Sequence, residues 1–225
     1  MTGAEPFPRL VAHLRARLGG ALPGHAAHGR MAPFPARAAP ETLSTELNDG
    51  RPAATLVLLF PGADGAAHFV LTERRATMRT HAGQVSLPGG ALEPGEMPED
   101  AARREAWEEV GVPPEAPDIL GRLTPIYIPP SKFSVWPVVA AVAARPAFRA
   151  QEAEVAALFD TPLAALLDPA TRRTSRRRAP LGEFDVPFYA IGGREVWGAT
   201  AMMLSELAEV VRGLRPDSAG ASAGS

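Results

Sequence analysis

The sequence predicts an α+β fold in which helices cover a mixed sheet in layers. Strand-like runs and helix-like patterns follow one another without the regular alternation that a doubly wound parallel sheet requires. The chain has 225 residues, of which 46% are hydrophobic and 21% are charged, and such values are typical of one globular domain with a sizeable core. We therefore expect a single catalytic or binding unit with shorter segments at its ends.

The two ends of the chain differ in composition from its middle. Four apolar residues near the start recur at helical spacing: Leu10, Val11, Leu14 and Leu18. A stretch rich in Gly, Pro and Ala follows, so residues 1–45 are predicted to form an N-terminal helix and an extended linker. Residues 46–214 are the expected main domain, and the tail of small residues at 215–225 is expected to be disordered.

Three pairs of strands are predicted in the main domain. The runs ATLVLLF (54–60) and HFVLTERR (68–75) flank the turn PGADG and predict a hairpin. The runs LGRLTPIYI (120–128) and FSVWPVVAAVA (133–143) flank the loop PPSK. EFDVPFYAI and REVWGA predict another hairpin around a Gly-Gly pair.

Three further elements are predicted in the second half of the chain. The run EVAALFDTPLAALLD (154–168) indicates a strand that continues into a helix, capped near Thr161 with Pro162 at its first position. The basic run TRRTSRRR (171–178) has no interleaved aromatic residues, so we expect a solvated loop there rather than a site for single-stranded nucleic acid. Residues 199–213 predict an amphipathic closing helix.

One short helix carries an unusual concentration of acidic side chains. Pro98 suits its first position and Gly111 suits its end, so a helix is predicted over 98–110. Glu105, Glu108 and Glu109 fall within an arc of about 100° on this helix, and like charges on one face repel. Mg²⁺ or Mn²⁺ would reverse that repulsion, because both ions prefer hard oxygen ligands. The alternative is a solvated acidic face.

The spacing of these residues favours the metal site. Counting from Gly90, the chain reads G-x5-E-x7-R-E-A-x-E-E-x-G-V. This resembles the Nudix box, G-x5-E-x7-R-E-U-x-E-E-x-G-U, at every charged and glycine position. Those positions are Gly90, Glu96, Arg104, Glu105, Glu108, Glu109 and Gly111. Ala106 stands where the pattern has an aliphatic residue that is often bulkier.

The resemblance implies a fold, a reaction and a set of site residues. Nudix hydrolases have an α/β/α sandwich and use Mg²⁺ or Mn²⁺ to hydrolyse a nucleoside diphosphate linked to another group. Carried onto this chain, the box implies Glu105, Glu108 and Glu109 as metal ligands, joined by the Gly90 carbonyl. Glu96 and Arg104 would hold the loop and the helix together. Glu154 is a candidate for a further ligand or the base, and its alternative is an exposed charge at a strand edge.

The segment before the box narrows the expected substrate. LTERRATMRTHAGQVSLPGG (71–90) resembles the L-L-T-x-R-[SA]-x3-R-x3-G-x3-F-P-G-G pattern of the coenzyme A pyrophosphatase branch of the Nudix hydrolases. Three positions depart from that pattern: Val70, Arg75 and Leu87. Coenzyme A carries a 3′-phosphate, so Arg74, Arg79 and His81 are candidates for substrate binding. The alternative role of each arginine is in a surface ion pair with Glu73 or a box glutamate.

Composition excludes several other classes of site and partner. The chain has no cysteine, which excludes disulfides, thiolate zinc sites and cysteine nucleophiles. A net charge of −2 gives no reason to expect binding to nucleic acid or to a membrane surface. The start of the chain lacks a basic stretch leading into an apolar run, so we expect a cytoplasmic protein. The resemblance to the coenzyme A branch implies a monomer or homodimer that acts on coenzyme A or its thioesters. The alternatives are a broader dinucleotide or ADP-ribose pyrophosphatase and a non-catalytic nucleotide-binding module.

Overall fold

The structure is a computed structural model that describes residues 6–33, 49–76, 83–179 and 182–214. Its helices are α1 (Phe7–Leu18), α2 (His25–His28), α3 (Pro98–Val110) and α4 (Gly198–Arg212). Short 3-10 helices cover Gly29–Met31, Leu163–Leu166 and Pro169–Thr171. The strands are β1 (Arg51–Pro61), β2 (Ala67–Arg74), β3 (Val85–Ser86), β4 (Gly89–Ala91), β5 (Asp118–Arg122), β6 (Ile126–Ile128), β7 (Phe133–Ala141), β8 (Val155–Pro162), β9 (Arg172–Ala179), β10 (Gly182–Ile191) and β11 (Arg194–Trp197).

The described strands form two sheets. Eight of them make a mixed sheet in which β1 and β7 pair in parallel over nine positions and the other neighbours are antiparallel. The order along its main path is β3-β2-β1-β7-β5, with β8 on the other side of β2 and β4 beside β1. The other three make an antiparallel sheet in the order β11-β10-β9. The predicted α+β fold with a mixed sheet is therefore confirmed.

The mixed sheet is covered by helices on both faces, which gives three layers. One core cluster packs Val57 and Leu59 of β1 against the apolar sides of α1 and α4. The other cluster packs Leu56 and Leu58 against Ala101, Ala102, Ala106 and Val110 of α3. Because alternate residues of a strand point to opposite faces, a strand buried on both faces must be continuously apolar. This requirement explains the run ATLVLLF.

Most of the predicted elements are confirmed, since their ends carry local signals. β1 and β2 form the expected hairpin, and so do β10 and β11. Helix α3 covers the predicted residues 98–110, and α4 begins one residue before the predicted start at 199. None of the helices within the described ranges combines the length and the hydropathy of a bilayer-spanning segment.

Two predictions for the second half of the chain are wrong. The basic run at 171–178 lies mostly in strand β9 rather than in a solvated loop, because two of its arginines, Arg176 and Arg178, stand opposite acidic residues of β10. Arg176 lies 3.4 Å from Asp185, and Arg178 lies 2.9 Å from Glu183. The segment after Thr161 is not an α-helix either. Strand β8 continues to Pro162, which pairs with His68, and the rest of the predicted segment contains only the 3-10 helix Leu163–Leu166.

The N-terminal linker is more structured than predicted between residues 24 and 31. Instead of an extended connector, this stretch contains α2 and a 3-10 turn, and the side chains of His28 and Met31 are buried. The reason lies in α4, where the carboxylate of Glu206 is fully buried. It accepts hydrogen bonds from Gly24 N (2.8 Å), His28 Nε2 (3.0 Å), Thr124 N (2.9 Å) and Thr124 Oγ1 (2.7 Å). A buried carboxylate needs such donors, and α2 supplies one of them.

Candidate active site

Helix α3 is positioned by local signals at its end and by small side chains on its buried face. Gly111 has φ +74°, a conformation that favours glycine, and it ends the helix with a hydrogen bond from its N–H to the Trp107 carbonyl at 3.1 Å. Ala106 is fully buried against the sheet. An alanine at this position of the box lets α3 lie close to β1, so the departure from a bulkier residue has a packing explanation.

The strand β4 brings backbone groups next to the acidic face of α3. It pairs with β1 through Gly89 and Gly90, and a Cβ at Gly89 would overlap the β1 backbone at Ala54 and Thr55. The Gly89 N–H donates to Glu109 Oε2 at 3.3 Å. The carboxylate of Glu105 lies directly against Gly90, in the space that a Cβ there would occupy. Two glycines in succession are thus needed for the close approach of β4 to both β1 and α3.

Arg104 connects the loop before α3 to the acidic face of the helix. Its Nε and Nη2 donate to the two oxygens of Glu96 at 2.9 and 3.0 Å, and Nη2 also donates to the Ala91 carbonyl at 3.0 Å. Its Nη1 donates to Glu105 Oε1 at 2.7 Å and lies 3.5 Å from Glu108 Oε2. The hydrogen bond from Arg104 holds the pKa of Glu96 below its ordinary value. A fork of this kind fixes the direction of the guanidinium as well as its position.

Glu109 and Glu105 lie in an environment that disfavours their charge. Burial is the main cause that raises the pKa of Glu109 to about 7; the charges of Glu105 and Glu154 act in the same direction, and the Gly89 N–H and Arg74 oppose the change. Burial also raises the pKa of Glu105, despite its hydrogen bond from Arg104. Glu108 differs from both, because 54% of its side chain is exposed. For Glu105 and Glu109 alike, burial is the main cause of the raised pKa and the neighbouring carboxylates are smaller ones.

The loop that carries Glu154 is attached to the end of α3. The Arg149 N–H donates to the Val110 carbonyl and the Gln151 N–H donates to the Glu109 carbonyl, each at 2.9 Å. These bonds satisfy carbonyls that have no partner within the helix. Gln151 Oε1 then accepts from the N–H groups of Ala153 (2.6 Å) and Glu154 (3.2 Å). The sequence carries no local signal for this attachment, and Gln151 was not among the predicted site residues.

Of the three predicted substrate-binding residues, the structure describes one. Arg74, at the end of β2, has Nη1 3.8 Å from Glu109 Oε1. Its Nε is buried and has no hydrogen-bond partner within the described ranges of the chain. Arg79 and His81 lie outside the described residues. The contact with Glu109 is the ion pair with a box glutamate that the sequence offered as the alternative role of Arg74, so phosphate binding by Arg74 stays a prediction.

Comparison with known proteins identifies the family. The NUDIX domain profile matches residues 50–180, a segment that includes the loop, helix α3 and the Glu154 loop described above. The chain belongs to the Nudix hydrolases. It is 38% identical over 177 residues to the uncharacterized Nudix hydrolase NudL of Cronobacter sakazakii, which covers 75% of this chain and 86% of that protein. It is 36% identical over 169 residues to the mitochondrial Nudix hydrolase 15 of Arabidopsis thaliana, covering 70% of this chain but only 58% of the plant protein.

A solved Nudix structure shares the fold. The crystal structure of the M. smegmatis Nudix hydrolase RenU superimposes with a TM-score of 0.53 at 23% identity, over 74% of this chain and 88% of RenU. Family membership makes this Nudix protein a pyrophosphohydrolase, and Nudix hydrolases generally use divalent metal ions.

The donor set of this Nudix hydrolase fits a hard divalent cation in its chemistry. Glu105, Glu109 and Glu154 influence one another electrostatically, and all three offer carboxylate oxygens. In their present conformations, no three acidic or histidine side chains of the described residues are arranged around one metal position. Arg104 explains part of this, because it holds Glu105 and lies near Glu108. A cation would compete with that guanidinium for the same oxygens.

Gly90→Ala is expected to lower kcat/KM on the order of a hundredfold while the fold is retained. The added Cβ would occupy the space of the Glu105 carboxylate, which is the end of a flexible side chain and can swing away. Pyrophosphatase assays and thermal unfolding of the same preparation measure both effects. Gly29→Ala is the control, since a Cβ there meets nothing within 4 Å. Full activity of Gly90→Ala would show that the position of Glu105 is unimportant.

Proposed function

We propose that this Nudix hydrolase cleaves the diphosphate of coenzyme A or its thioesters to 3′,5′-ADP and 4′-phosphopantetheine or its acyl form. The observation that carries the proposal is the segment 71–90, whose pattern resembles the coenzyme A branch and whose Arg74 lies beside Glu109. The buried Nε of Arg74, unpartnered among the described residues, supports a role for this arginine in binding substrate phosphate. We propose Arg79 and His81 for the same role on the sequence pattern.

We propose Mg²⁺ or Mn²⁺ as the cofactor, with Glu105, Glu108, Glu109, Glu154 and the Gly90 carbonyl as candidate ligands. Such an ion would neutralise diphosphate charge and would lower the pKa of the attacking water. Arg104 orients Glu105 through the bond described above, and Arg74 places positive charge at the phosphate. In the reaction a water oxygen bonds to phosphorus, the bridging P–O bond breaks, and the water proton passes to one of Glu105, Glu109 and Glu154. No covalent enzyme intermediate is needed.

The main alternative is a broader nucleoside-diphosphate pyrophosphatase that accepts NADH or ADP-ribose. It differs from the first proposal in having no preference for the 3′-phosphate. A non-catalytic nucleotide-binding module is disfavoured, because the complete set of box glutamates is an electrostatic burden that a binder does not need. We also propose that residues 46–214 are the catalytic domain, flanked by 1–45 and 215–225. On composition, we propose a cytoplasmic protein, and on the resemblance to the coenzyme A branch we propose a monomer or homodimer with small-molecule substrates.

A substrate panel tests the proposal. Purified protein with Mg²⁺ or Mn²⁺ is given coenzyme A, 3′-dephospho-coenzyme A, NADH and ADP-ribose, and the products are identified by mass spectrometry. We expect kcat/KM for coenzyme A to exceed that for the dephospho form by about tenfold or more, because a site built for a phosphate rejects a ligand that lacks it. Equal rates on all four compounds would favour the broader enzyme. Cleavage of none of them would refute both assignments.

A further inference from the structure

A cleft with charged walls lies between the two sheets. It lies on the face of the mixed sheet that is opposite to α3. It has a volume of about 330 Å³ and is lined by Glu73 and Val85 of the mixed sheet and by Arg177, Arg194, Glu195 and Trp197 of the small sheet. We call it the arginine cleft. Its two guanidinium groups face one space, although they come from strands β9 and β11. Neither arginine belongs to the Nudix box or to the carboxylate cluster, by which we mean Glu105, Glu108, Glu109 and Glu154.

Arg194 stacks on an aromatic ring, donates two hydrogen bonds, and still has N–H groups for a ligand. Its guanidinium carbon lies 3.7 Å from the centre of the Phe159 ring, and its Nε donates to Glu73 Oε2 at 3.0 Å. Its Nη1 donates to the Gly192 carbonyl at 3.0 Å. Among the described residues these bonds leave Nη2 for a ligand. An arginine stacked on an aromatic ring and anchored along one edge loses little freedom when it binds an anion on the other edge.

Arg177 is arranged in the same way on β9, which lies in the same sheet as β11 with β10 between them. Its guanidinium carbon lies 4.1 Å from the centre of the Trp197 ring, and its Nη2 donates to Glu195 Oε2 at 2.6 Å. Its Nε donates to Ser175 Oγ at 3.3 Å. Among the described residues, these bonds leave Nη1 for a ligand. The side chain of Arg177 is 28% exposed and that of Arg194 is 39% exposed. Both cations are therefore ordered by the protein and still reachable from solvent.

The arginine cleft and the carboxylate cluster share the end of β2. Glu73 faces Arg194 in the cleft, whereas the next residue, Arg74, faces Glu109. The backbone of Arg74 is fixed by bonds with Gln84 and Gly83, each at 3.0 Å, and Gly83 and Gln84 also line the cleft. A register irregularity between Glu73 and Arg74 marks this point of the strand. A ligand that has its diphosphate at the carboxylates and a second anionic group nearby could engage both places.

We propose that the arginine cleft binds a phosphomonoester of the substrate, which for coenzyme A is the 3′-phosphate, through Arg177 and Arg194. This proposal rests on the proposed function, because it deepens the substrate assignment of the same enzyme. A phosphate dianion can accept from both guanidinium groups at once, and paired arginines are the side chains best suited to that geometry. The competing explanation is that the two ion pairs only join the small sheet to the mixed sheet.

The test compares two substrates on the same variant protein. For Arg177→Gln and Arg194→Gln, we expect kcat/KM for coenzyme A to fall about tenfold, mainly through KM, and kcat/KM for 3′-dephospho-coenzyme A to change less than about twofold. The ratio of the two values is insensitive to partial unfolding, since both substrates meet the same preparation. Arg176→Gln is the matched control, because Arg176 lies on the same strand but pairs with Asp185 outside the cleft.

Calorimetry with 3′,5′-ADP, 5′-AMP and inorganic phosphate gives a second measurement that needs no turnover. We expect the wild-type protein to bind 3′,5′-ADP more tightly than 5′-AMP, and we expect the two variants to lose that difference. An unchanged ratio in both variants, or an equal loss for both substrates, would overturn the proposal and leave the ion pairs as structural links. If the wild-type protein cleaves neither substrate, the proposed function fails, and the calorimetric comparison alone decides whether the cleft binds a phosphomonoester.

Discussion

Glu109→Gln is expected to lower kcat/KM by about a thousandfold, which is the largest effect on activity that we predict. Glutamine keeps the shape of the side chain but removes the charge and the ability to accept a proton. The fold should survive, because burial already makes the charged form of Glu109 unfavourable, as its pKa of about 7 indicates. Steady-state assays with saturating Mg²⁺ or Mn²⁺ and thermal unfolding in chelator measure the two consequences separately.

The control for this variant is Glu115→Gln, which changes an exposed glutamate beyond the end of α3. It should retain wild-type kcat/KM. A Glu109→Gln enzyme that remains within a few-fold of the wild type would contradict the assignment of Glu109 to the metal and proton chemistry, provided that the activity still depends on the added cation. Activity that persists in chelator would contradict the metal assignment as well.

Glu206→Ala is expected to lower the free energy of unfolding by about 3 to 5 kcal/mol, the largest effect on stability. The substitution removes the acceptor of four hydrogen bonds and leaves unpaired a buried donor of His28 and partly buried donors of Gly24 and Thr124. Urea unfolding at pH 7 measures the change. The control is Glu209→Ala on the same helix, where more exposed ion pairs with Arg30 and Arg212 are lost and about 1 kcal/mol or less is expected.

The pKa of Glu206 predicts how the stability of the protein depends on pH. Burial by itself raises the pKa of Glu206, but hydrogen bonds from His28, Thr124 and Gly24 outweigh burial and hold the pKa below 4.5. A carboxyl group whose pKa is lower in the folded state than in the unfolded state stabilises the fold at a pH above its unfolded pKa. That stabilisation is lost as the pH falls through the pKa of the folded state. The stability difference between wild type and Glu206→Ala should therefore be constant near neutrality and shrink below pH 4.5. A difference that grows on acidification would contradict this account.

The elements that the sequence predicts well are those with local signals at their ends. Helix α3 begins at Pro98 and ends before a glycine with positive φ, and both signals lie within the helix or next to it. The acidic face of α3 follows from helical periodicity alone. Periodicity does not, however, distinguish the buried Glu109 from Glu108, because the difference depends on how β4 and the Glu154 loop approach the helix.

The elements that the sequence predicts poorly depend on distant partners. Strand β9 looks like a solvated run of arginines until β10 brings Glu183 and Asp185 opposite to it. The helical turn at His25–His28 has no clear signal of its own, because its stabilising partner is Glu206 in the last helix. Arg177 and Arg194 share a cleft only because the small sheet packs against β2. The coenzyme A assignment stays a prediction, as do the roles of Arg79 and His81.

The hydrogen bonds between Glu206 and the N-terminal segment also constrain how the protein folds during its synthesis. Gly24 and His28 lie 182 and 178 residues before the glutamate that accepts their hydrogen bonds. A nascent chain therefore cannot close this half of its core until α4 has left the ribosome. Until then, the apolar side of α1 lacks the part of its covering surface that α4 provides, and apolar side chains exposed in this way favour association between nascent chains.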